Sequence, residues 1–421
     1  MKYIVVNALL CIVALMNAQP SNSFLYENLK IHTATGTVIE KGYIGVQDGT
    51  IDYVGEQMPK KIYDQMMDGQ GMYAYPGIIA PNTRLGLEEI QAVRATLDYN
   101  EVGRFNPNVR SVIAYDTDSD VVPTIRSNGI LFAQVVPEGG IISGQSSIVR
   151  TEGDNWESAA FALDNCVHLR WPSRIRYTGW WAQKGRTEMN KNYQDNLQAI
   201  RVYFDAALAY SKKKTIEKKN LKFETMRALF SKEKILIVHV SDVKSIMDAV
   251  GLLKAYGLKI VLQGANDSWK VAEYLKENKV SVILNDVHRI PSKDDDDIDL
   301  CFKIPKLLQD AGVKFTFSLN AQGSWNVRNL MFQAGQAVAY GLDYEDALKA
   351  LTINAAEILG VDKQIGSLEV GKEASFIVSR GDIMDMKSSV VEKAYLKGRP
   401  VDLGDKQKEL NEKYRQKYKL D

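Results

Sequence analysis

Four histidines, His32, His168, His239 and His288, are the only imidazoles in the chain. Imidazole is the commonest protein ligand for zinc and the side chain that exchanges protons near neutral pH. None of the four stands in a His-x-His or His-Glu-x-x-His pattern. A zinc site from His168, His239 and His288 would need separate strands to converge on it. Without that convergence they are hydrogen-bonded polar side chains and no resident cofactor is expected. Glu138-Gly139-Gly140-Ile141-Ile142-Ser143-Gly144-Gln145-Ser146-Ser147 follows an apolar run. Backbone N–H groups of such a loop can cradle an anion, with Gly139, Gly140 and Ser143 as contacts and Arg84 as countercharge. The competing account is a turn whose glycines adopt positive φ.

Three further patterns carry less chemistry. Arg170-Trp171-Pro172-Ser173-Arg174-Ile175-Arg176-Tyr177 and Trp180-Trp181 interleave basic and aromatic residues, as a lid or a protein contact surface does. Asp116-Thr117-Asp118-Ser119-Asp120 begins like a calcium loop, but Val121 stands where that loop needs glycine. Asp118 or Ser119 is therefore expected to cap a short helix through Val121, Val122 and Ile125. Ser241 and Asp242 follow His239, but successive strand residues face opposite ways, so no Ser–His–Asp triad forms there.

These residues must be held by something, and the apolar pattern says what. Short apolar runs at 76–80, 130–136, 146–150, 166–171, 235–240, 258–263, 280–285 and 314–319 read as strands. Helical periods at 86–96, 190–212, 243–255, 268–277 and 326–340 fall between them. Alternation of this kind predicts an α/β fold, and eight strands predict a closed (β/α)₈ TIM-like barrel over 76–364. Asp343 starts and Gly360 stops a final barrel helix. Both ends of the chain read differently. Asp48-Gly49 is a hairpin signal between short strands, and 365–405 returns to β-type sequence. One small composite β-sandwich from 19–75 and 365–405 is expected, followed by a charged helix at 406–421.

The first 18 residues carry Lys2, an apolar run from Ile4 to Met16 and a polar turn after Ala18. That pattern predicts a cleaved signal peptide and an exported, periplasmic or extracellular protein with no transmembrane segment. Lys+Arg at 53 against Asp+Glu at 52 leaves a net charge of +1, which excludes the basic field of a nucleic-acid binder.

Three segments together resemble the metal-dependent amidohydrolase superfamily, especially its imidazolonepropionase-like members. They are Asp48–Gly55 leading into Tyr75-Pro76-Gly77-Ile78-Ile79-Ala80-Pro81, Ala347–Gly360, and Ile365–Val378 with its Gly366-Ser367-Leu368-Glu369-Val370-Gly371-Lys372 core. The resemblance implies the barrel and composite sandwich already predicted. It also implies metal-activated water at the barrel mouth, held by His-x-His on the first strand, Lys on the fourth, His on the fifth and sixth, and Asp on the eighth. In this chain Asn82 and Arg84 fill the His-x-His positions, and His168 stands on the fourth strand. His239 persists on the fifth, Gln263 replaces the sixth histidine, and Asn320 replaces the aspartate. Arginine stays protonated, and amides neither bind zinc well nor accept a proton near neutral pH.

The expectation is an exported member of that superfamily with a degenerate metal centre. Its polar mouth, lined by Asn82, Arg84, His168, His239, Gln263 and Asn320, would bind a small molecule or a protein partner. A divergent hydrolase of carbon–nitrogen bonds in cyclic amides or peptides is one alternative. A subunit of a periplasmic or cell-surface assembly, docking through Trp171 to Trp181, is the other.

Overall fold

The computed structural model describes residues 23–179, 187–291, 293, 295–319 and 323–420. The expected signal peptide, Trp180, Trp181 and Asn320 lie outside the described residues. The chain opens with an antiparallel meander, β1 (Ser23–His32), β2 (Val38–Gln47) and β3 (Thr50–Gly55). Asp48 and Gly49 turn between β2 and β3 with φ of 50° and 82°, the conformation that a two-residue hairpin demands. Next, β4 (Gln65–Asp68) and β5 (Tyr73–Pro76) pair parallel with successive stretches of β1.

A second sheet then begins, with β6 (Ile78–Thr83), α1 (Val121–Arg126), β7 (Ile130–Val135) and β8 (Ile142–Arg150). Helix α2 (Trp156–Ala159) leads into β9 (Ala160–Arg170), and a hairpin of β10 (Ile175–Tyr177) and β11 (Thr187–Met189) follows. Two helices, α3 (Tyr193–Ser211) and α4 (Leu221–Phe230), precede β12 (Ile235–Val240). The pattern continues through α5 (Val243–Lys254), β13 (Ile260–Gly264), α6 (Ala272–Glu277), β14 (Ser281–Leu284), α7 (Leu300–Ala311) and β15 (Phe315–Phe317). Three helices close it: α8 (Leu330–Ala339), α9 (Tyr344–Leu351) and α10 (Ile353–Leu359).

The order β6-β7-β8-β9-β12-β13-β14-β15 makes an eight-stranded, nearly closed barrel. Strand β8 runs antiparallel to both neighbours, and every other pairing in the barrel is parallel. Antiparallel neighbours need no crossover helix, which explains why so little helix separates these strands in the sequence. The barrel core packs Ile78, Phe132, Val167, Ile237, Leu262 and Phe317, all at most 1% exposed.

The chain then returns to its first sheet. Strand β16 (Phe376–Ser379) pairs antiparallel with β5, and β17 (Val391–Leu396) and β18 (Arg399–Pro400) extend it. This composite unit has its own apolar core, including Leu29, Ile44, Phe376 and Tyr395. Helix α11 (Lys406–Tyr418) ends the chain with no buried residue, anchored by Asp405, which caps it and accepts a hydrogen bond from the Ser127 hydroxyl.

Several local expectations are corrected. Residues 86–96 form turns with one short 3₁₀ segment at Arg94–Thr96 instead of a helix. There the Thr96 hydroxyl donates to the Ile90 and Val93 carbonyls, competing with helical bonding. The helix between Asp343 and Gly360 is two helices, broken at Thr352 (φ −132°, ψ −95°). Asp343 still caps the first, and Gly360 ends the second at φ 76°. Ser119 Oγ accepts from the Val121 N–H in a turn just before α1, while the N-cap position falls on Asp120, whose side chain makes no capping bond. Trp171 is buried at 7% exposure, with its indole donating to the Tyr193 hydroxyl, so it offers no contact surface. Cys166 and Cys301 are buried free thiols, and burial pushes Cys166 up to about 12. Among the described residues no helix is long and apolar enough to cross a membrane.

Candidate ligand site at the barrel mouth

Strand register places three side chains abreast at the C-terminal edge of the barrel. Arg170 on β9 pairs with His239 on β12, which pairs in turn with Gln263 on β13. Asn285 and Asp286 follow immediately after β14. Above them opens a cavity of about 770 Å³ whose wall includes Asn82, Arg170, His239, Gln263, Asp286 and Arg289. Barrel strands end their hydrogen-bonded ladders here, so polar side chains can meet without breaking the core.

Beneath the cavity floor lies a continuous polar string. The Asn82 N–H donates to Gln134 Oε1 (3.0 Å), and Gln134 Nε2 donates to the Ser146 hydroxyl (2.9 Å). Ser146 Oγ lies 2.7 Å from His168 Nε2, and His168 Nδ1 lies 2.9 Å from His239 Nε2. Two proton arrangements satisfy this string. Either Ser146 donates to His168, which donates to His239, or both imidazole bonds run the other way. In each arrangement both rings are neutral. Burial, with Arg170 nearby, pushes His168 down to about 3. His239 is held well below the usual imidazole range by burial, then by His168 and Arg170. The pair is thus an uncharged donor and acceptor at physiological pH, and too weak a base to take a proton readily there.

The expected residues do not all meet in this cavity. Asn82 reaches its wall in a left-handed conformation (φ 53°). Arg84 stands behind the wall: its guanidinium binds Glu88 at 2.6 Å and Glu138 at 3.3 Å, and stacks on Tyr99. Arg170 also lies 3.6 Å from Glu138. The anion cradle expected of the 138–147 loop is therefore corrected, because Arg84 already has carboxylate partners and Glu138 faces the cavity with negative charge. Gly139 and Gly140 take φ of 87° and 63°, as the turn account requires. Neither they nor the fully buried Ser143 line the cavity. His288 does line it, but its Nδ1 accepts from Gln333 Nε2, so it stands apart from the His168–His239 pair.

Sequence reasoning missed Asp286 and Arg289. Asp286 is buried at 7% exposure, and burial raises its carboxyl above the ordinary range, against the pull of its bond from the His288 N–H and the charges of His288 and Arg289. The signal available was position alone, directly after the strand that ends at Leu284, where barrel chemistry is placed.

A divalent metal does not fit the side chains present in the arrangement the fold would use. Both His168 nitrogens are engaged, one of them with the only other histidine in reach of it. Arg84 brings positive charge to the first strand's end, and Gln263 presents its amide nitrogen to Asn285 and Ser318. Among the described residues, no three His, Cys, Asp or Glu side chains are grouped to hold a metal ion.

An eight-stranded barrel with a sheet built from both termini and a polar site at its C-terminal edge defines an amidohydrolase-type architecture. Residues 193–401 match the amidohydrolase family model. An amidohydrolase from Thermotoga maritima superposes with a TM-score of 0.78 at 23% identity, over 90% of this chain and 99% of that one. An adenosine deaminase from Xanthomonas campestris with bound zinc gives a TM-score of 0.54 at 14% identity, over 93% and 97%. An adenine deaminase from Methanococcoides burtonii is 37% identical over 67 residues, which span 16% of this chain and only 11% of that protein. Over residues 193–401 the chain thus matches the amidohydrolase family, and its fold as a whole is that of amidohydrolase structures.

Proposed function

We propose that this protein is an exported member of the superfamily that binds a small polar molecule in the barrel mouth without a divalent metal. The observation that carries the reading is the 2.9 Å bond between His168 and His239. Ring nitrogens at these strand ends serve each other, in a string anchored on Ser146 and Gln134, and of the two rings the neutral His239 lines the cavity. The leader from Met1 to Ala18 supports export, and the N-terminal sequence of the mature protein tests it.

Elemental analysis of the purified protein after dialysis against a weak chelator, with His239→Ala in parallel, tests the metal-free reading. Both samples should contain no stoichiometric metal. Near-stoichiometric zinc, iron or manganese that disappears in the variant overturns it. That result would favour the second reading, a hydrolase of carbon–nitrogen bonds in cyclic amides or peptides. The similarity in fold to a deaminase and, at a TM-score of 0.55, to a prolidase supports that alternative. For docking into a larger assembly through Trp171 to Trp181, the buried Trp171 contributes no surface, and Trp180 and Trp181 lie outside the described residues.

A further inference from the structure

Charged groups around the mouth are almost all matched within the protein. Arg84 and Arg170 share Glu138, Arg174 binds Asp248, and Asp242 accepts the Ser245 N–H as the cap of α5. Asp286 and Arg289 are different. Both line the cavity from one turn after β14, and they are close enough for the Arg289 charge to act on the Asp286 carboxyl. Yet neither takes part in an ion pair with any described residue. The carboxylate accepts only a backbone N–H from His288, and Arg289 Nε is buried with no hydrogen-bond partner. A cation and an anion thus sit three residues apart, the carboxylate buried and the guanidinium partly buried, and both line the same space.

We propose that the mouth binds a free α-amino acid by its zwitterionic head, with the carboxylate on Arg289 and the ammonium on Asp286. The inference rests on the metal-free reading of the site. A neutral ligand would leave the buried carboxylate and the partly buried guanidinium without an ion-pair partner, and a simple anion would pair Arg289 while meeting Asp286 as a like charge. An α-amino acid carries its two charges on one carbon, the spacing that suits two neighbouring side chains on one turn. Guanidinium and carboxylate also match as a planar, two-bond pair.

The wall that runs from β14 through Gln263 on the adjacent β13 to His239 on β12 selects the side chain. His239 and Gln263 are uncharged, and β12 lies two strand spacings from β14, roughly 10 Å. Gln263 is 3% exposed, its Nε2 is engaged with Asn285 and Ser318, and its Oε1 has no partner. That oxygen accepts, so the ligand's far end should donate an N–H. A carboxamide side chain supplies one, and the neutral imidazole of His239 offers its carbonyl or amine a second bond. L-Glutamine combines the head, the reach and the terminal amide.

The test is calorimetry on the full-length mature protein with L-glutamine, N-acetyl-L-glutamine and L-glutaminamide. The free amino acid should bind, and capping either end should weaken binding at least tenfold, since each cap removes one charge-assisted contact. Asp286→Asn and Arg289→Gln should each lose the same factor while keeping the wild-type circular dichroism spectrum. Equal binding by capped and free ligands overturns the proposal, as does the absence of heat or thermal shift for all twenty L-amino acids. The wild-type ligand series decides the matter even if a variant fails to fold. A metal that depends on His239 would overturn the previous reading alone, because the capped series reports on Asp286 and Arg289.

Discussion

Acid should destabilise this protein through the His168–His239 pair before it protonates most carboxylates. His168 is fully buried and pushed down to about 3, from an ordinary value of about 6.5. The folded protein therefore refuses a proton that the unfolded chain accepts. Stability from this group is fully present above about pH 6.5 and is lost as pH falls toward 3. Between pH 6.5 and 5.0 the imidazole passes 1.5 units below its unfolded value. At ~1.36 kcal/mol per unit, His168 alone costs about 2 kcal/mol at pH 5.0. His239 shifts in the same direction and adds to the loss. Urea unfolding of wild type and His168→Gln at pH 7.5 and 5.0 isolates the effect, because the carboxylates are common to both proteins. Wild type should lose about 2 kcal/mol more than the variant over that interval. Parallel pH slopes, or an NMR titration of His168 with a midpoint near 6.5, would refute the reasoning.

Other perturbations follow from the same coordinates. Glu88 is almost wholly buried against Arg84, so Arg84→Ala should cost about 3–5 kcal/mol by stranding a carboxylate, and Arg84→Met with Glu88→Gln should cost much less; thermal unfolding of both distinguishes them. Restoring the histidine pair with Asn82→His and Arg84→His should not create a stoichiometric zinc site, because Gln263 remains an amide and His168 remains bonded to Ser146 and His239; tight zinc in that variant would show the placement of the site to be wrong. A β-carbon on Gly335 in α8 would run into the Met384 carbonyl, so Gly335→Ala should destabilise by about 1–3 kcal/mol, measured as a lower Tm. Asp343→Ala removes the cap of α9 at Asp346 N–H and should cost about 1 kcal/mol.

Most of the barrel was legible because its strands announce themselves by composition. Ile235–Val240 is an unbroken apolar run around one histidine, and its observed limits match those read from the residues. Direction is another matter. Strand β8 reads the same whether it runs with or against its neighbours, so its antiparallel pairing could not be seen in the pattern. Helix α7 was overlooked because Pro305 sits within it, and proline ordinarily ends helices. At the mouth, His239 and Gln263 were picked out by the strand-end ligand positions that the amidohydrolase resemblance implies, and the structure sets them side by side. The His168–His239 bond was invisible, since it depends on the register of β9 against β12. Asp286 and Arg289 carry no motif; only the turn after β14 gives them a common space. Arg84 shows the converse error, a residue at the expected position whose charge Glu88 and Glu138 draw back from the cavity.

The sheet shared by both termini sets a schedule for biosynthesis. Pro76 on β5 pairs with Phe376 on β16, and nothing nearer in the sequence occupies that edge. A ribosome adding ~5–20 residues per second needs roughly 15–60 s to cover the intervening stretch. Throughout that wait β5 presents open N–H and C=O groups beside Tyr73 and Tyr75, a surface on which another nascent chain can dock. Loss of the last 46 residues would make the wait permanent, so a premature stop before Phe376 should yield a chain that aggregates through its N-terminal sheet even though every barrel strand has been made.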